Sequence, residues 1–189
     1  MDPLTLPAGL PVPEDDGAAR HLVGRRLPRL GLPATSGQRV TLADLDGWTA
    51  VFAYPLTGRP GGELPGGEEA WNAIPGARGC TPELCGVRDD QTALEGLGAR
   101  TFGLSTQDSG YQREVVARLG LTYVLLSDES LALTRALELP TFEVKGMTLL
   151  RRLTLLIRDG EIVRVDYPVF PPDRAAARAL ELLRAALAG

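Results

Sequence analysis

The sequence predicts an α/β fold, a central mixed β-sheet flanked by helices on both faces. Three observations point there. Between residues 48 and 137, short runs of β-formers alternate with helical patterns, the arrangement that lays helices against a largely parallel sheet. Asp159-Gly160 then separates two apolar runs, a strong two-residue hairpin signal that adds antiparallel strands. Last, Pro171 and Pro172 open an amphipathic stretch. Ala176, Ala179, Leu180, Leu183 and Leu187 line one face of it, and Arg178, Glu181 and Arg184 the other.

Taken in order, residues 1–17 are rich in Pro, Gly and Asp and read as a loose arm, with a short helix expected over 18–26. Gly37 to Leu42 reads as a turn into a strand, and residues 43–46 as one helical turn closed by Gly47. Trp48 to Tyr54 is rich in aromatic and β-branched residues and ends at Pro55, which suits a buried central strand. Residues 56–73 carry Gly58, Pro60, Gly61, Gly62, Pro65, Gly66 and Gly67, and their first half cannot hold a regular element. Trp71 and Ile74 are expected to pin this loop to the body, with substrate contact the other role open to Trp71. Leu84, Val87, Leu94 and Leu97 fall at helical spacing over 81–97. A strand over 99–105, a helix over 109–119 stopped by Gly120, a strand over 122–126 and a helix over 128–137 follow. Residues 149–158 and 161–167 read as the two hairpin strands. Pro140-Thr141 reads as part of a connection.

Composition bounds the function. Of 189 residues, 44% are hydrophobic, enough for a full-sized core in one domain. With 20 Lys and Arg against 24 Asp and Glu, the net charge of -4 gives no electrostatic case for nucleic acid or anionic membrane. The first 26 residues show no basic start followed by an apolar run, and no stretch approaches the roughly 20 apolar residues of a membrane span. A cytoplasmic, reducing setting is expected, in which a cysteine pair is more often redox-active than structural.

The candidate chemistry sits in Gly79-Cys80-Thr81-Pro82-Glu83-Leu84-Cys85-Gly86-Val87-Arg88-Asp89, which holds both cysteines. Thr81 can cap a helix, Pro82 suits its first position, and Glu83 suits its first turn. Cys80 is then at or just outside a helix N-terminus, where free backbone N–H groups favour a thiolate. Two cysteines acting as small apolar core residues is the plain alternative. A metal site would need two further ligands, and the single histidine, His21, is distant and reads as a surface or capping residue. Five residues of α-helix give a rise of about 7.5 Å and a rotation of about 500°. Sulfurs so placed cannot reach disulfide geometry, so a Cys80–Cys85 bond requires the first turn to unwind, helped by Gly79 and Gly86.

These residues resemble the active-site segment of the peroxiredoxins, in the bacterioferritin-comigratory (PrxQ-like) branch: Gly79-Cys80-Thr81, Cys85-Gly86 and Arg88-Asp89. The resemblance continues through Gly37-Gln38, Val40, Leu42, Asp44-Leu45 and Gly47, through Tyr54-Pro55 and Leu125-Leu126-Ser127-Asp128, and through Arg152, Thr154-Leu155-Leu156-Ile157 and Asp159-Gly160. It covers roughly residues 24–187. It implies a thioredoxin-like fold over 24–189, with 1–23 as an N-terminal arm and about 56–73 as a Gly/Pro-rich insertion. It also implies a thiol-dependent peroxidase acting on hydrogen peroxide or organic hydroperoxides. Cys80 would be peroxidatic and Cys85 resolving, closing an intramolecular disulfide recycled by a thioredoxin-type donor. Arg152 would stabilise the thiolate and the peroxide, and Thr81 is a candidate donor. No metal or organic cofactor is implied, and the chain would be a monomer or homodimer.

Two departures stand out. The family's hydroxyl three residues before the peroxidatic cysteine is replaced by Ala77, and its proline seven before by Ala73. In a second register, Pro75-Gly76-Ala77 followed by Thr81-Pro82 resembles another peroxiredoxin group and would make Cys85 peroxidatic. A redox-sensing interaction protein on the same scaffold and a thioredoxin-class disulfide oxidoreductase are the other readings. Leu139-Pro140-Thr141-Phe142 resembles a thioredoxin cis-proline strand, but the cysteine pair is wider than that class carries.

Overall fold

In the computed structural model, which describes residues 5–189, the chain is organised by its central strand. Every residue of Trp48–Ala53 is buried, and its side chains alternate between two separate core layers. Trp48, Ala50 and Phe52 face one layer, Val51 and Ala53 the other.

The elements are β1 (Gly31–Pro33), β2 (Arg39–Thr41), β3 (Trp48–Ala53), α1 (Glu68–Asn72), α2 (Cys80–Gly96), β4 (Ala99–Ser105) and α3 (Ser109–Leu119). After them come β5 (Val124–Ser127), α4 (Ala132–Leu137), β6 (Thr141–Val144), β7 (Met147–Leu150), β8 (Leu153–Arg158), β9 (Glu161–Asp166) and α5 (Ala175–Ala188). The main sheet has the order β5-β4-β3-β8-β9. Strands β3, β4 and β5 are parallel, and β8 and β9 add on antiparallel. Helices α2 and α5 cover one face together with Val115 of α3, and α4 and the segment before β1 cover the other. This is the mixed sheet with helices on both faces that the pattern predicts.

Local chemistry sets the boundaries. Asp108 caps α3 by accepting from the Tyr111 N–H at 2.8 Å, and Gly120 ends it in the left-handed region. Asp159 and Gly160 both have positive φ, 50° and 75°, as a type I′ hairpin turn requires. Gly160 also admits no side chain: a Cβ there would lie 2.6 Å from the Ala43 carbonyl oxygen.

Three expectations are corrected. The helix expected from residue 128 starts at Ala132, because Asp128 is buried and its carboxylate accepts the Leu133 and Thr134 N–H groups and the Thr134 hydroxyl. A short polar side chain that bonds the backbone competes with helix at its own position. The strand expected over 149–158 is broken at Arg151-Arg152: β7 pairs with β6 and β8 with β3 and β9. Pro140-Thr141 leads into strand β6 rather than a plain connection.

Two segments outside the sheet bear on the site. In the 56–73 insertion, Thr57 donates its N–H and hydroxyl to the Gln107 side-chain oxygen, and its carbonyl accepts from the Tyr111 hydroxyl at 2.6 Å. Arg118 bonds the Gly58 carbonyl, and at the far end Trp71 is 1% exposed against Phe142 and Leu149. Trp71 therefore packs as well as bordering the groove described below. In the N-terminal segment, Ala19 and Leu22 are buried, the short helix is a 3-10 turn at Arg20–Leu22, and His21 Nε2 lies 2.8 Å from the Leu137 carbonyl.

Trp71→Ala is expected to cost about 3–5 kcal/mol in urea unfolding, the range for truncating a fully buried tryptophan. It should also speed cleavage after Glu63 by a glutamyl endopeptidase, since the far anchor of the insertion is lost.

Candidate active site

Helix α2 begins at Cys80 itself. Its N-cap is Gly79, with φ of +105° and no capping side chain. The expected cap at Thr81 is therefore displaced: Thr81 is the second helical residue and Pro82 the third, still within the turn whose N–H groups lack intrahelical acceptors. Close packing explains the shift. A Cβ on Gly79 would sit 2.6 Å from Pro172 Cγ and 2.9 Å from Leu6 Cδ2, so only glycine fits there. Cys80 is 4% exposed and joins the core layer formed by Phe52, Tyr54 and Leu84.

Arg152, in the break between β7 and β8, is brought to this helix start. Its Nη2 donates to Cys80 Sγ at 3.3 Å. The same nitrogen lies 3.2, 3.5 and 3.3 Å from the carbonyl oxygens of Gly76, Ala77 and Arg78. Two N–H bonds cannot serve four acceptors fully, so a charged sulfur would draw the donor from the neutral carbonyls. In the thiol form, the Sγ–H donates to the Ala77 carbonyl at 3.7 Å. The site therefore offers the sulfur a partner in either protonation state.

Sequence reasoning placed Glu83 as a helix-dipole residue and missed its main contact. Glu83 Oε2 accepts from Arg152 Nη1, and both side chains are essentially inaccessible. The pair fixes the guanidinium with its second nitrogen against the sulfur. Arg152 Nε and Glu83 Oε1 have no hydrogen-bond partner, so the pair carries unrelieved desolvation. A buried arginine brought beside a buried carboxylate 69 positions away leaves no local pattern in the chain.

Thr81 is partly exposed beside Cys80 on the groove wall. Ala77 is fully buried and offers only its carbonyl. A second orphan group lies in the same layer. The Tyr54 hydroxyl is inaccessible and has no well-formed hydrogen bond, and burial pushes its pKa well up, partly opposed by the nearby Ser105 and Gln112 side chains. Cys85 is further along α2, free and 6% exposed; burial raises its pKa, partly opposed by Arg88. The two cysteines are not bonded, and α2 is continuous through both.

A groove of about 1180 Å³ opens onto Cys80, walled by the 56–73 insertion, by Leu6, and by Arg118 and Lys145. Among the described residues no group of three or more His, Cys, Asp or Glu could hold a metal ion, and no helix is long and apolar enough to cross a membrane.

The Redoxin family matches residues 22–182, from the buried Leu22 into α5. The chain belongs to the redoxin family. Among similar proteins, the chloroplastic peroxiredoxin Q of Oryza sativa subsp. japonica is 23% identical over 184 residues, which is 94% of this chain and 76% of the relative. Peroxiredoxin Bcp of Escherichia coli K12 is 29% identical over 103 residues, 54% of each chain. The crystal structure of peroxidoxin BcpB from Mycobacterium tuberculosis superposes with a TM-score of 0.68 at 25% identity, covering 86% of this redoxin and 96% of that chain. PrxQ of Xylella fastidiosa gives 0.69 at 21%, covering 87% and 96%. The fold is thioredoxin-like, as the resemblance in the sequence implies.

Two outcomes are expected. At neutral pH, iodoacetamide should label Cys80 of the native redoxin at least tenfold faster than Cys85, and the difference should vanish in urea. Arg152→Leu should lower stability by about 3–5 kcal/mol, because it leaves Glu83 buried and unpaired. It should also slow Cys80 alkylation by removing the donor on the sulfur, and adding Glu83→Leu should recover most of the stability in urea unfolding without restoring the alkylation rate.

Proposed function

We propose that this redoxin is a thiol-dependent peroxidase with Cys80 as the peroxidatic residue and Cys85 as the resolving one. The observation that carries the reading is the Arg152 guanidinium on Cys80 Sγ at 3.3 Å, at a helix start facing an open groove. The peroxiredoxin names of its relatives support the reaction class.

The Cys80 thiolate attacks one oxygen of the hydroperoxide; the S–O bond forms, the O–O bond breaks, and the alkoxide or hydroxide leaves and takes up a proton. Arg152, always charged and rich in donors, stabilises the thiolate before the step and the departing oxygen during it. The first-turn N–H groups and the Thr81 hydroxyl are the available substitutes for the donor that Ala77 lacks. The Cys85 sulfur then attacks the Cys80 sulfenic sulfur; the S–S bond forms, the S–O bond breaks, and water leaves. A thioredoxin-type dithiol returns both cysteines to thiols and is itself oxidised to a disulfide. A cytoplasmic, reducing setting belongs to this reading.

The buried Ala77 favours a second reading, in which peroxide turnover is slow and the disulfide reports redox state to a partner. In the first reading, wild type consumes peroxide with a thioredoxin system, Cys80→Ser is inactive, and Cys85→Ser completes one turnover and stops as sulfenic acid. Exchange of the two mutant phenotypes would make Cys85 peroxidatic. A wild type that forms the disulfide but barely turns over would favour the sensor.

A further inference from the structure

The N-terminal arm lies across the loop that carries Cys80. Leu6 packs directly on Gly79: its Cδ2 would be 2.9 Å from a Cβ at that position, and Pro172 Cγ would be 2.6 Å from the same Cβ. Gly79, the left-handed N-cap of α2, is thus packed by both the arm and the segment before α5. Pro13 makes a second contact, 3.5 Å from where a Cβ on Gly76 would lie. The arm is anchored below these contacts. Asp16 accepts from the Tyr167 hydroxyl at 2.9 Å, and Ala19 and Leu22 are buried in the core. Between the two contacts, Pro7 and Pro11 restrict the backbone on either side of a turn at Gly9, whose φ is +76°, and this short connection carries Leu6 to Gly79.

On the peroxidase reading above, this has a kinetic consequence. The two sulfurs cannot bond while α2 is helical at its start. Closure needs the helical turn between the two cysteines to unwind, and an unwinding that starts at the N-cap draws Gly79 out from under Leu6. We propose that Leu6, supported by Pro13, is a positioning residue that holds this loop in its helical, reduced form and so retards disulfide closure. Retardation sets a partition. Until Cys85 reaches it, the Cys80 sulfenic acid stays in the groove, where a second hydroperoxide converts it to sulfinic acid: an S–O bond forms, the O–O bond breaks and the alcohol or water leaves. A tighter arm gives more sulfinic product at high peroxide, and a looser arm more disulfide.

The test follows both steps in the full chain. The reduced protein is mixed with one equivalent of hydrogen peroxide; sulfenic acid is trapped with dimedone in one set of samples, and disulfide is followed by intact mass in a parallel set without dimedone. Leu6→Gly, Pro13→Ala, the double variant and Val12→Ala are compared with wild type. Val12 is 64% exposed and serves as an arm control. In Leu6→Gly, closure should rise about tenfold relative to the sulfenic step, the factor that partial burial of a leucine is worth. The double variant should rise further, and Val12→Ala should match wild type. The peroxide concentration giving half sulfinic acid, read by mass spectrometry, should rise in the same order. Unchanged or slower closure in Leu6→Gly and in the double variant, with the sulfenic acid still forming, overturns the proposal. If wild type forms no sulfenic acid, the peroxidase reading itself falls.

Discussion

The buried contact among Glu83, Arg152 and Cys80 is the interaction on which the site depends. Its three members come from the first turn of one helix and from a break between two strands, and each is almost inaccessible to solvent. Isolated, a buried guanidinium is expensive. Here the carboxylate holds one of its nitrogens, while three carbonyls and a sulfur share the other. The interruption between β7 and β8 follows from the same requirement. The Arg152 side chain leaves the strands for the helix start, while its carbonyl takes the Val169 N–H at 3.3 Å.

The fold places this cluster by bringing distant segments of the chain together. Central strand β3 delivers the chain to the insertion, the insertion returns it to Gly79, and α2 then runs back over the same face beside α5. Steric fit decides where the helix begins: Leu6 and Pro172 leave room for no side chain at position 79. Gly86 is constrained similarly, since a Cβ there would be 3.2 Å from the Asp173 carbonyl. The two glycines flanking the cysteines thus permit close packing in the helical form, besides offering flexibility in an unwound one.

Much of this was legible in the chain because it rests on local period and punctuation. The strands at 48–53 and 99–105, helix α3 with its Gly120 stop and the Asp159-Gly160 turn each carry their own signal within a few residues. The cysteines and Arg152 were legible through motif. What was hidden required distant parts to meet. Glu83 looked like a residue at home in any first helical turn until its partner was placed. Asp128 looked helical because its carboxylate's targets, five and six residues on, were unknown. The orphan Tyr54 hydroxyl gave no sign of its isolation in a sequence where it simply ends an apolar run.

The anchoring of the insertion has a consequence for engineering. Thr57 and Gly58 tie its entry to α3 and to Gln107 just ahead of it, and Trp71 seats its exit against Phe142, so the exposed arch between them hangs from two fixed posts. Lengthening such an arch costs little, about 0.6 kcal/mol for each doubling of a flexible loop. A foreign peptide or a small reporter domain spliced near Gly61-Gly62 would sit at the lip of the groove. Because the same arch walls the groove onto Cys80, such an insert would alter access to the sulfur while leaving both posts in place.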